Sequence, residues 1–139
     1  MICLNGTVKR DGKFWIVECQ SLNAMTQGTT RKEAILMIED WVKNAVNDPS
    51  FQMKTRITGR GEFVLSFPDS KVIIGLILER ARISAKLTYD ELAKRSGYKS
   101  RSTVKTMTKG IHDHSIGKIS ELLNSIGFDL TVSVRMNQL

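Results

Sequence analysis

The stretch Leu87 to Gly110, LTYDELAKRSGYKSRSTVKTMTKG, decides how the second half of the chain folds. It reads as two short helices joined by a turn at Gly97. Thr88 can accept from the free N–H groups of a first turn, and Glu91 sits three residues later as its capping-box partner. Leu92 and Ala93 face inward, and Ala93 is small enough to let a second helix approach. Gly97 supplies the backbone freedom that helix ends commonly use. Ser100 is a candidate cap for the next helix, which turns Val104 and Met107 inward at helical spacing. Arg101, Ser102, Lys105, Thr106 and Lys109 are left to point outward. The charge is one-sided: Lys94, Arg95, Lys99, Arg101, Lys105 and Lys109 are basic, and no Asp or Glu lies between Lys94 and Lys109. A short helix pair whose second helix is basic suits reading of the DNA major groove. The candidate DNA-contacting residues are Lys99, Ser100, Arg101, Ser102, Thr103, Lys105, Thr106 and Lys109. Arg101, Ser102, Lys105 and Thr106 are expected at base edges, and Lys99 and Lys109 nearer phosphates.

Working outward, Ile73 to Arg82 reads as a helix running into Leu87-Thr88. Ser115 to Gly127 reads as another, with Ile116, Ile119, Leu122, Leu123 and Ile126 as its packed face. The ensemble resembles the helix-turn-helix of the Cro and C1 repressor type. The run from Gly97 to Val104 is one residue longer than that family's usual turn. The register of the recognition helix is therefore open by about one position. The resemblance implies operator binding as a homodimer or higher homo-oligomer, because a single recognition helix reads few base pairs.

The first half has a different texture. Ile2 to Lys9 alternates weakly, Asp11-Gly12 is a hairpin turn, and Phe14 to Cys19 is rich in aromatic and β-branched residues. Ala24 to Gln27 reads as a short third strand. Thr29 or Thr30 can cap a helix whose buried stripe is Ala34, Ile35, Ile38, Trp41, Val42 and Ala45. Asp48-Pro49 ends it. Phe51 to Ile57 alternates as a strand with Phe51, Met53, Thr55 and Ile57 on one face, Gly59-Arg60-Gly61 turns the chain, and Glu62 to Phe67 returns. Pro68-Asp69 then starts the next helix. The expected order is β-β-β-α-β-β followed by helices, with no flexible linker at Phe67 to Ser70.

Two segments of this half, Asp11-Gly12-Lys13-Phe14-Trp15-Ile16-Val17-Glu18-Cys19 and Thr26-Gln27-Gly28-Thr29-Thr30-Arg31-Lys32-Glu33-Ala34, resemble the HicB-type antitoxins of bacterial toxin–antitoxin pairs. That family has an extended strand pair, a T-Q-G-x-T junction from strand to helix, and Glu-Ala near the start of the helix. The intervening Gln20 to Met25 lacks the proline, glycine and cysteine common in the family, and the Phe51 to Phe67 hairpin is an extension of it. The resemblance implies a partial RNase H-like fold without nuclease activity. It also implies a cognate small basic toxin, a HicA-like ribonuclease, as partner, and operator DNA as the target of the C-terminal half.

At 139 residues the chain accommodates one ordinary domain or two small ones. Its 41% hydrophobic content excludes a disordered tail. Residues 1–66 hold nine Lys/Arg against seven Asp/Glu, or +2, and residues 67–139 hold twelve against seven, or +5. The excess sits with the helix pair and favours a polyanionic partner. The N-terminus lacks the basic start and apolar run of a signal peptide, and Val72 to Leu78 is too short to cross a bilayer. No membrane association is expected. Cys3 and Cys19 lie on separate strands and read as free thiols of a cytoplasmic protein.

Nothing in the chain assembles into chemistry. Phosphoryl transfer with two metals needs converging carboxylates. Of Asp11, Glu18, Glu33, Glu39, Asp40, Asp48 and Glu62, only Glu18 sits within a strand. His112-Asp113-His114 lacks further ligands nearby and reads as a polar turn. Trp15 and Trp41 suggest a stacking surface for single-stranded nucleic acid, but Trp41 belongs to an apolar stripe. No catalytic residue, metal or cofactor is expected, and the protein is not read as an enzyme. The sequence thus points to an α+β protein. Residues 1–68 form a small sheet-plus-helix, toxin-binding domain, and residues 69–139 an all-helical DNA-binding domain with a final strand at Leu130 to Val134. The expected function is an antitoxin that also represses its own operon. The alternative is a stand-alone transcription regulator whose N-terminal domain senses a ligand.

Overall fold

The computed structural model describes residues 1–134 and 136. The elements are β1 (Ile2–Asp11), β2 (Phe14–Cys19), a 3-10 turn (Gln20–Leu22), β3 (Ala24–Gly28), α1 (Arg31–Ala45), β4 (Lys54–Gly59), β5 (Glu62–Phe67), α2 (Ser70–Ser84), α3 (Tyr89–Ser96), α4 (Arg101–Thr108) and α5 (Ile116–Asn124). The fold is mixed α+β, with one five-stranded sheet in the order β3-β2-β1-β5-β4 and every pairing antiparallel.

One face of the sheet builds the first core. Leu4 and Val8 of β1, Val17 of β2 and Phe63, Leu65 and Phe67 of β5 are buried against Ala34, Ile38 and Val42 of α1. The junction between β3 and α1 shows why its residue types are needed. Thr30 caps α1 by accepting from the Glu33 N–H at 3.1 Å, Thr29 Oγ1 donates to Glu33 at 2.7 Å, and Thr26 Oγ1 donates to the Ala34 carbonyl at 3.0 Å. A Cβ on Gly28 would lie 2.6 Å from the Ala34 nitrogen, so only glycine lets the strand meet the helix. Each side chain of Thr26, Thr29, Thr30, Glu33 and Ala34 therefore has a structural task.

Two details differ from the sequence expectation. Ala45 is exposed, at the last residue of α1, where the buried stripe has already ended with Val42. The strand expected from Phe51 begins at Lys54. Phe51 packs on Phe67 instead, with ring centroids 6.2 Å apart. Ile57 keeps the expected face, pairing with Phe63 as Thr55 does with Leu65, but it is 48% exposed beside a register shift between Ile57 and Gly59.

The second core gathers Leu87, Leu92, Ala93, Val104, Met107, Ile119, Leu122, Leu123 and Ile126. Ile116, expected in this packed face, is 63% exposed at the first residue of α5. Helix α2 belongs to both cores: Ile73 and Leu76 are buried in the first, Leu78 and Ala81 in the second. Arg80 adds a polar tie. Its Nε donates to the Leu22 carbonyl at 3.0 Å, its Nη2 to the Asn23 carbonyl at 2.9 Å, and its guanidinium lies 5.2 Å from the Trp41 ring centroid.

Leu130 to Val134 forms no strand within the single chain, and Val134 is 94% exposed. The last part of the expected 69–139 unit, residues 135 and 137–139, lies outside the described residues. Among the described residues no helix is long and apolar enough to cross a membrane. Cys3 is exposed and Cys19 buried, and both are free thiols. Burial pushes the Cys19 thiol up to about 11, against smaller opposing effects of backbone hydrogen bonds from Leu22 and Ser21.

Candidate nucleic-acid interface

Helix α3 starts at a complete capping box. Thr88 Oγ1 accepts from the Glu91 N–H at 3.1 Å, and Glu91 Oε1 accepts from the Thr88 N–H at 3.3 Å. It ends at Gly97, whose φ of 80° is the left-handed geometry that glycine adopts without strain. The chain then passes through Tyr98 and Lys99 to Ser100, which caps α4 by accepting from the Thr103 N–H at 3.4 Å. Val104, Met107 and Thr108 bury the inner face of α4.

The C-terminal end of α4 is fixed by a close approach of backbones. A Cβ on Gly75 of α2 would lie 2.5 Å from the Gly110 nitrogen, and one on Gly110 would lie 2.7 Å from the Val72 Cα. No side chain fits between these segments, so α4 leaves the helical unit at a set position relative to α2.

A polar network fixes the other side. Tyr89 OH donates to both oxygens of Glu79 at 3.0 Å, Arg82 Nε donates to Glu79 Oε2 at 3.3 Å, and Arg82 Nη1 donates to the Leu87 carbonyl at 2.6 Å. The Arg82 guanidinium stacks 4.2 Å from the Tyr89 ring centroid, and the Lys105 ammonium lies 5.8 Å from it. Burial pushes the Glu79 carboxyl up, but the hydrogen bonds from Arg82 and Tyr89, the Arg82 charge and the Thr108 hydroxyl outweigh it and hold it below its ordinary value. The hydrogen bond to Glu79 in turn raises Arg82 above its ordinary value, against partial burial.

Of the eight candidate residues, Lys99, Ser100, Arg101, Ser102, Thr103 and Lys109 are exposed, and Lys105 and Thr106 are half-buried. Lys105 is drawn over Tyr89. Thr106 Oγ1 donates back to the Ser102 carbonyl at 2.8 Å, which occupies its proton. Ser100 and Thr103 share a hydroxyl contact of 3.1 Å at the cap. Lys99, Arg101, Ser102 and Lys109 are the exposed members whose side chains make no such internal contact among the described residues. Arg101 also borders an open groove with Arg82, Thr88, Tyr89 and Asp90. The Glu79–Arg82 pair is the ion pair found among the described residues, so the cations from Lys94 to Lys109 keep their charge unneutralised. Reading the sequence alone missed Glu79, Arg82, Tyr89 and Gly75. Two signals were available: the i, i+3 spacing of Glu79 and Arg82, and a glycine inside a helix, which costs stability unless another backbone comes close.

The remaining constellations separate. His112 to His114 lie between α4 and α5, with the His114 Nε2 buried and without a hydrogen-bond partner among the described residues. Among the described residues no three His, Cys, Asp or Glu side chains gather to hold a metal ion. Trp15 and Trp41 are half-buried and pack against the first core. No protein-family model matches this chain, and no curated protein matches it.

Proposed function

We propose that the protein is a DNA-binding antitoxin of a bacterial type II toxin–antitoxin pair, acting in the cytoplasm. In this reading α3 and α4 are a helix-turn-helix of the repressor type, and α4 enters the major groove of operator DNA. The observation that carries it is the exposed, acid-free face of α4, with Arg101, Ser102 and Lys109 uncommitted and its inner face locked to α2 and α3. Cations at the positive end of a helix are unfavourable by themselves, and a phosphate backbone would relieve them. Residues 1–68 act as the HicB-like, partially RNase H-like unit that holds a small basic RNA-cleaving toxin. Support for that part is the T-Q-G-T-T-x-x-E-A junction, in which Thr26, Thr29, Thr30 and Glu33 are each hydrogen-bonded. Because α2 lies in both cores, residues 69–77 serve the sheet unit as well as the helical unit 69–139.

A two-fold operator is expected, read by at least a dimer, with half-sites about one helical turn or a multiple apart. Leu130 to Val134, unpaired in one chain, is available to pair across that dimer. The reading assigns no catalytic residue, metal or cofactor.

The test uses the full chain and duplex DNA from upstream of its own gene. Binding should prefer that duplex over random sequence and weaken steeply with salt. Arg101→Ala should lower affinity by about 1–3 kcal/mol, and Lys109→Ala should reduce the salt slope by about one counterion. Equal binding to random duplex, or no change in an Arg101→Ala, Lys105→Ala double variant, would refute the helix assignment. Co-purification with the product of a small basic reading frame beside the gene tests the toxin. Operator binding without any such neighbour would favour the stand-alone regulator.

A further inference from the structure

A second charge asymmetry lies in the sheet, at the opposite end of β1 from the Ile2–Phe67 pair that leads into α2. Two hairpin tips meet there. The β1–β2 turn follows the Asp11–Phe14 pair, and the β4–β5 turn is tied to β1 by the Val8 N–H donating to the Gly61 carbonyl at 2.9 Å. Residues 9–14 and 58–62 hold four cations, Lys9, Arg10, Lys13 and Arg60, against Asp11 and Glu62, or +2. The rest of residues 1–66 holds five cations against five carboxylates, or zero. The whole positive excess of the N-terminal half is therefore concentrated at this end. All four cations are exposed, and none is in an ion pair among the described residues.

Side-chain parity adds a surface. Asp11 pairs with Phe14, and Lys9 with Ile16, so these four share the sheet face away from α1. Gln27 pairs with Ile16, and Arg56 lies across from Val64 and Asn5, which places both on the same face. Phe14 is 43% exposed, the aromatic ring that this face offers to solvent, whereas Trp15 turns to the core. Glu18 and Glu62 also lie on this face, on either side of Thr7, and bound the basic area on its inner side; Arg56, level with Asn5, lies beyond them.

We propose that this end of the sheet binds single-stranded nucleic acid, with phosphates on Lys9, Lys13 and Arg60 and an unpaired base stacked on Phe14. A flat strand surface has no ridge to enter a duplex groove, but it accepts splayed bases, and clustered cations follow the backbone. One stacking ring gives a modest, sequence-tolerant site. The inference does not depend on duplex binding by α4.

Fluorescence anisotropy of the full chain with a labelled single-stranded oligouridine of about 12 nucleotides at about 0.1 M salt tests it. The wild type should bind, with affinity falling as salt rises. Lys13→Glu with Arg60→Glu should weaken binding by at least about tenfold, and Phe14→Ala by about fivefold or more. Arg101→Ala should bind the oligouridine like wild type. Thermal melts check folding; if the charge-reversed pair melts early, Lys13→Gln with Arg60→Gln is read in its place, with a smaller loss expected. No binding by the wild type, unchanged binding by the tip variants, or an equal loss in Arg101→Ala would each overturn the proposal.

Discussion

Helices α3 and α4 are both eight residues long, both begin at a hydroxyl cap, and both bury one face in the same core. Their N-terminal ends are charged in opposite senses, while both carry basic residues in the last turn. α3 has Asp90 and Glu91 in its first turn and Lys94 and Arg95 in its last, the arrangement that complements a helix dipole. α4 has no acid in its first turn, with Lys99 just before it and Arg101 as its first residue. Its cap is weaker too, at 3.4 Å and without the return arm that Glu91 supplies to α3. α3 satisfies its own termini. α4 leaves positive charge at a positive helix end, which suits the proposed contact with DNA.

Substitutions can separate these roles. The largest effect should come where the helices are alike. Leu92 is fully buried in the shared core, so Leu92→Ala should cost about 2–5 kcal/mol in denaturant unfolding and disable both helices together. If α4 kept its fold and DNA binding in that variant, the two helices would not be one unit. Next is Arg101→Ala, which should lower duplex affinity by about 1–3 kcal/mol while leaving the unfolding free energy within about 0.5 kcal/mol. A matching loss of stability would make Arg101 structural.

The caps come third. Thr88→Ala should cost about 1 kcal/mol, and Ser100→Ala less, since only the former breaks a reciprocal box. Equal costs would contradict the contrast between the two helix starts. Finer still is Arg101→Glu. It places an acid at the positive end of α4, so it should raise stability by about 0.3–1 kcal/mol while abolishing duplex binding. A less stable Arg101→Glu would show that Arg101 is not in electrostatic tension with its helix.

The gentlest test is pH. Glu79 is held below its ordinary value in the folded protein. Its contribution is therefore complete above that ordinary value and is lost as pH falls through the folded-state value. Glu79→Gln should be less stable at neutral pH and should flatten the acid limb of a stability–pH curve. An unchanged acid limb would remove Glu79 as the link between α2 and α3.

The element order was readable because each boundary has a local chemical mark. The hairpin expected at Asp11-Gly12 turns one residue on, at Gly12-Lys13, between the paired Asp11 and Phe14; Thr30, one of the two threonines expected, caps α1, Thr88 caps α3, and Gly97 ends α3 in the left-handed geometry. The inward pair Val104 and Met107 followed from spacing alone. The misreadings fall where periodicity meets an end. Ala45 and Ile116 keep the helical period but sit at terminal residues, where exposure depends on what lies beyond the helix. Phe51 keeps the alternation of a strand, yet its partner is Phe67 across the core. The outward face of α4 was legible as a set, but the state of each side chain was not. Lys105 leans on Tyr89, sixteen residues away, and Thr106 bonds within its own helix.

Local sequence chemistry sufficed for the secondary elements, the caps, the basic character of α4 and the hydrophobic stripes, because caps, turns and periodicity act over a few residues. Tertiary contacts decided the rest. They made α2 a shared helix, set Gly75 against Gly110, joined Arg80 to the turn before β3, and brought two distant hairpin tips into one basic patch. The last three depend on residues between about 35 and 60 positions apart, whose meeting is fixed by strand register and backbone approach and leaves no mark in a short window of sequence.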